Sequence, residues 1–140
     1  MHALNHSPCS NTLVMSQKKH NSPFIYDVTE STYEEKVLKA SHQQPVLVDF
    51  WAEWCAPCIS LAPALKRVIE ELQGLVMLAK VEVDDNMRLA GHYRLRGFPT
   101  VILFVEGNEI GRFHGSRASH WLREWIEEHL GDYLAAAHQD

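Results

Sequence analysis

The 140-residue chain is poor in cysteine, in basic charge and in long apolar runs. Three cysteines are too few for a disulfide framework, which excludes the small stapled domains of secreted proteins. No stretch approaches the roughly 20 apolar residues that a membrane-spanning helix needs, so no membrane association is expected. The amino-terminal MHALNHSPCSNTLVMSQKKHNSP has only TLVM as an apolar segment, too short for a signal peptide. A cytoplasmic protein in a reducing compartment is therefore expected. Lys and Arg number 13 against 18 Asp and Glu, for a net charge of -5. A nucleic-acid binder needs a basic face that this balance does not supply. Repeats and dividing linkers are also missing, so one domain is expected.

What is present is a core: 46% of the residues are hydrophobic. Residues 1–23 stand outside it, being polar and without periodicity. They read as a disordered extension that contains Cys9, and Met15 is a second possible start. The domain is expected over 24–131, with 132–140 as a carboxy-terminal tail.

FIYDV reads as a short strand, and TESTYEEKVLKAS as a helix capped by Thr29 or Ser31. PVLVDFWA is short, apolar and β-branched, the pattern of a strand buried on both faces. In CAPCISLAPALKRVIEELQ, Leu61, Leu65, Val68 and Leu72 recur at helical spacing, and Gly74 closes the segment. Pro57 suits a first helical turn, whereas Pro63 removes a backbone bond and is expected to kink the helix. VMLAKVEVD is a strand and NMRLAGHYRL a short helix. GFPTVILFVEG and NEIGRFHG form a hairpin around Gly107. SRASHWLREWIEEHL is an amphipathic helix with Trp121, Leu122, Trp125, Ile126 and Leu130 inward. The early alternation predicts parallel pairing and the late hairpin an antiparallel edge, giving an α/β chain with helices on both faces of a mixed sheet.

Cys55 and Cys58 stand two residues apart. A structural staple is a poor reason for this spacing, since so small a ring gains only about 2 kcal/mol. A structural zinc site usually takes four ligands from two such pairs, and the nine histidines show no finger spacing, so no metal is expected. Redox exchange fits better: one thiolate attacks a disulfide and a second thiol releases the mixed disulfide. Cys55 falls where strand meets helix, and the orphan N–H groups there favour a thiolate. Cys58 lies one turn inward. Cys55 is thus the candidate nucleophile and Cys58 the resolving thiol. Asp49, between Val48 and Phe50, is expected to be desolvated with a raised pKa, unless structural hydrogen bonds satisfy it.

VDFWAEWCAPC and GFPT resemble the active-site strand and the proline loop of the thioredoxin family. The likeness runs from Phe24 to near Leu130 and keeps Asp49, Trp51, Trp54, Pro57, Lys80, Pro99 and Gly115 in the family's order. It implies the thioredoxin fold, a mixed central sheet of about five strands flanked by about four helices. It implies a protein disulfide reductase acting on disulfide-containing client proteins. The reductant would be a flavin-dependent thioredoxin reductase using NADPH, with no cofactor bound to the chain itself. A monomer is expected. Asp49 would be the buried carboxylate behind the cysteines, suited to exchanging a proton with Cys58, with Lys80 on the neighbouring strand, and Pro99 would be cis. Trp54, Ala56, Pro57, Ile59, Phe98, Pro99 and Gly115 would line the surface on which a client segment docks.

Three positions depart from the family. Ala56 stands where Gly is usual, and favours the helical form. Ile59 replaces a frequent basic residue and makes the rim more apolar. His114 stands where an apolar residue usually precedes Gly115; it reads as a solvated loop histidine, with a place bordering the site as the sharper alternative. A competing function of another class is a chaperone-like or scaffold subunit that uses the fold only for binding.

Overall fold

A computed structural model describes residues 20–138. The expectations for Cys9, Met15 and most of the extension lie outside the described residues. His20 to Pro23, by contrast, are held against the domain. Nε2 of His20 lies 2.7 Å from Asp27 Oδ1, and Ser22 Oγ accepts the Phe24 N–H.

Five strands form one sheet: β1 (Ile25–Asp27), β2 (Val46–Trp51), β3 (Met77–Glu82), β4 (Thr100–Val105) and β5 (Asn108–His114). Their spatial order is β1-β3-β2-β4-β5. β1 and β2 both pair parallel with β3, while β4 runs antiparallel to β2 and to β5. The continuous apolar run of β2 is explained by its place at the centre, where both faces are covered. Leu47, Leu78, Val101 and Leu103 point to one side, beneath α2 (Ala56–Glu71) and α4 (Ser119–His138). Val46, Val48, Phe50, Ala79, Val81 and Ile102 point to the other, packing with Val37 of α1 (Glu34–Lys39) and with Leu89 of α3 (Met87–His92). This is the mixed α/β sheet with helices on both faces.

Two elements differ from the sequence reading. Neither Thr29 nor Ser31 caps a helix: Thr29 Oγ1 bonds Ser31 Oγ, and Thr32 Oγ1 takes the Thr29 N–H. Such local bonds hold the backbone in turns. The segment becomes helical only at Glu34, in a wide π-type turn followed by a tight turn over Ala40–His42. At the other end, the expected tail 132–140 is helical as far as His138. Leu130 leaves helical geometry at φ -125°, next to the poor helix former Gly131, and the helix then resumes. The resumption has a cause, because it buries Leu134, at 7% exposure, in the core. α2 continues through Pro63 as one helix to Glu71.

Candidate active site

β2 ends at Trp51 and a four-residue loop leads to α2, whose N-cap is Cys55 in an extended conformation. Pro57 occupies the first turn, where its missing N–H removes nothing. The spacing brings Cys58 back onto Cys55. The two are joined as a disulfide, with Cα atoms 5.3 Å apart. Cys58 donates its backbone N–H to Cys55 Sγ at 3.2 Å. Cys55 therefore plays the part that Ser or Asp plays at most helix starts, and a negative charge on its sulfur would meet an N–H group and the positive end of the helix. Cys58 is the more buried, at 2% against 4%.

The loop before β4 faces the pair. The Phe98–Pro99 bond is cis, and the Phe98 carbonyl oxygen lies 3.4 Å from Cys55 Sγ. Gly115, at φ +88°, donates its N–H to the Pro99 carbonyl at 2.9 Å. Trp54 is 67% exposed and Ile59 56%, an unusual display of apolar surface beside a reactive sulfur. The Trp54 ring meets Phe98 edge-on at 6.2 Å, and its Nε1 donates to Asp84 Oδ2 at 2.9 Å. Ala56 and Pro57 are exposed on the same rim.

Asp49 sits on β2 directly opposite Lys80 of β3. Two residues from Leu47, it shares that strand face, so its carboxyl points beneath α2 into the apolar core. It is 1% exposed, and neither carboxyl oxygen has a hydrogen-bond partner among the described residues. Desolvation by burial pushes its pKa up to about 6; the Lys80 ammonium, 3.7 Å away, opposes the rise without cancelling it. Lys80 is half-buried and also lines a surface depression with Ile59, Ala62, Pro63, Lys66 and His20. Its other neighbour is the Trp51 ring, 5.4 Å from Nζ.

A sequence-family model described as Thioredoxin matches residues 24–128. The chain belongs to the thioredoxin family. The thioredoxin of Pseudomonas aeruginosa is 45% identical over 109 residues, covering 78% of this chain and 99% of that protein. The thioredoxin of Rickettsia bellii is 38% identical over 104 residues, 74% of this chain and 97% of its own length. Thioredoxin 1 of a Nostoc species is 36% identical over 103 residues, 74% of this chain and 94% of that protein. With the Cys55–Cys58 pair in bonding contact, family membership makes the chain a thiol-disulfide oxidoreductase acting on protein disulfides.

Most of the residues read from the sequence meet here. Cys55, Cys58, Trp54 and Phe98 form one surface, Pro99 and Gly115 brace it, and Asp49 and Lys80 form a separate buried pair under α2. His114 is exposed at the end of β5, opposite Thr100, whose hydroxyl its Nδ1 meets. Two neighbours escaped the sequence reading. Asp84 anchors the Trp54 indole, and nothing in the acidic stretch VDDN marks it for that role. Thr100 was visible only as the last letter of GFPT, and its hydroxyl ties the proline loop together. Among the described residues, no group of three or more His, Cys, Asp or Glu is placed to hold a metal ion, and no helix is long and apolar enough to cross a membrane.

Proposed function

We propose that Cys55 is the attacking thiolate and Cys58 the resolving thiol of a reductase for disulfide-containing client proteins. The observation that carries this is the position of Cys55 as the N-cap of α2, with the Cys58 N–H directed at its sulfur. The Cys55 thiolate attacks one client sulfur; a Cys55–client disulfide forms, and the other client sulfur leaves as a thiolate. Cys58 then gives its proton to Asp49 and attacks Cys55 Sγ. The intramolecular disulfide forms and the second client sulfur leaves reduced. Asp49, with a pKa near 6, is largely ionised at neutral pH and can accept that proton. The Lys80 ammonium, 3.7 Å away and at the surface depression, balances the charge of the ionised carboxylate.

Client segments dock on the rim of Trp54, Ala56, Pro57 and Ile59, against the loop of Phe98, Pro99 and Gly115. The dithiol carries both electrons, so the reaction needs no cofactor bound to this chain. A flavin-dependent thioredoxin reductase restores the dithiol at the expense of NADPH. The protein works as a monomer in the cytoplasm, where the redox poise keeps such a dithiol supplied with electrons.

The test is insulin reduction coupled to thioredoxin reductase and NADPH. Cys55→Ser is expected to reduce turnover to background. Cys58→Ser is expected to accumulate Cys55–client mixed disulfides that a non-reducing gel resolves. Traps that form in Cys55→Ser and not in Cys58→Ser would reverse the assignment.

A further inference from the structure

Thr100 opens β4 and is fully buried. Its hydroxyl oxygen lies 2.6 Å from the Gly97 carbonyl oxygen and 3.0 Å from Nδ1 of His114. A hydroxyl has one proton to give. A carbonyl oxygen only accepts, and two oxygens this close with no proton between them would repel, so the proton goes to Gly97. The Thr100 oxygen is then left as the acceptor toward His114. That requires His114 to carry a proton on Nδ1, which assigns the tautomer of its neutral ring.

His114 at the end of β5 and Gly115 just beyond it thus hold both flanks of Phe98. His114, opposite Thr100 in the ladder, reaches Gly97 through the Thr100 hydroxyl. Gly115, next in the chain, holds the Pro99 carbonyl through its backbone N–H. Between the two held points stands Phe98, whose carbonyl faces Cys55 Sγ and whose ring meets Trp54. An apolar side chain at position 114 would leave the Gly115 contact intact and could not make the other.

We infer that His114 is a positioning residue for client docking: through the Thr100 hydroxyl it fixes the Gly97–Pro99 loop in the place where a client segment meets Cys55. The inference rests on the proposed docking of clients at this loop. It concerns how tightly a folded or extended polypeptide is held, not the reactivity of the sulfurs.

The experiment compares two substrates, insulin and the small aromatic disulfide 5,5′-dithiobis(2-nitrobenzoate). His114→Val and Thr100→Val are each expected to raise the KM for insulin roughly three- to ten-fold, the effect of losing one neutral hydrogen bond, with kcat little changed. The small disulfide does not need the loop and is expected to react at the wild-type rate in both. The double variant is expected to be no worse than either single one, because both remove the same link. His114→Asn, whose side-chain amide can donate from nearly the place of Nδ1, is expected to restore the wild-type KM. Nitrogen NMR of neutral His114 should show the proton on Nδ1, and on Nε2 in Thr100→Val. An unchanged insulin KM, an equal loss with the small disulfide, or an Nε2–H tautomer in the wild type would each overturn the inference. A wild-type protein that reduces neither substrate would instead refute the proposed function on which it stands.

Discussion

Asp49 shows how much one side chain can cost a fold. Its carboxyl is enclosed by apolar neighbours without a single hydrogen bond among the described residues, and burial moves its pKa from 3.8 to about 6. Below about pH 4 the group is protonated in both the folded and the unfolded chain and contributes nothing. Between there and pH 6 the unfolded chain ionises first, binds fewer protons, and stability falls as pH rises. Above pH 6 the penalty is complete, at about 3 kcal/mol. Asp49→Asn keeps the shape and removes the charge. Its unfolding free energy by guanidinium titration is expected to match the wild type's pH trend only below about pH 4, and to gain on it by about 3 kcal/mol by pH 7. A difference that does not change with pH would return Asp49 to an ordinary buried acid. The same variant is expected to slow resolution by Cys58 at neutral pH, read by stopped-flow fluorescence. Asp49 was legible because an acid inside VLVDFW has nowhere polar to go. Thr100 was not, because its partners at positions 97 and 114 meet only once β4 and β5 pair, a contact that local spacing does not reveal.

At the scale of elements, the strongly periodic segments read true and the ends did not. β2 and α2 announce themselves in the sequence: the apolar run behind Pro45 is too short for a helix, and the leucine row of α2 keeps helical spacing over three turns. α1 did not, because the Thr and Ser residues ahead of it satisfy one another and delay the helix to Glu34. α4 was cut short at Leu130, where helical geometry is interrupted beside Gly131, and burial of Leu134 one turn later carries the helix on. Leu134→Ala is accordingly expected to destabilise the protein by about 2–3 kcal/mol in chemical denaturation. Tyr133→Phe, which removes only an exposed bond from the phenol to the Leu75 carbonyl, should change it by less than about 1 kcal/mol. Equal effects would mean that the last turns of α4 fray rather than pack. The β4–β5 turn offers a second check. Glu106 and Gly107 both have positive φ, at 53° and 81°, the geometry of the tight hairpin turn that suits strand twist. A Cβ on Gly107 would also come within 3.2 Å of His42 Nε2. Gly107→Ala should therefore lower stability by about 1 kcal/mol without touching disulfide reduction.

At the scale of the whole molecule, folding and redox chemistry are two sides of one thermodynamic cycle. The Cys55–Cys58 bond closes a ring of only four residues. Constraining so short a segment of the unfolded chain favours the oxidised fold by about 2 kcal/mol over the reduced one. The cycle requires the same quantity to appear as a potential difference. The disulfide of the folded protein should be harder to reduce than that of the unfolded chain by about 40 mV. Stabilisation of the Cys55 thiolate by the start of α2 acts the other way, since it favours the folded dithiol and narrows the gap as pH rises through the thiol's ionisation. The burial of Asp49 adds to the penalty on both folded forms alike and drops out, except where its proton is shared with Cys58. Two independent measurements check this. Guanidinium unfolding of the oxidised and reduced proteins gives the stability difference, and equilibration with glutathione, with and without denaturant, gives the potentials. At pH 6 the oxidised form is expected to be the more stable by about 2 kcal/mol, with the gap shrinking by pH 9. A reduced form as stable as the oxidised one at pH 6 would mean that the native dithiol is held by contacts stronger than the helix start and the Phe98 carbonyl supply.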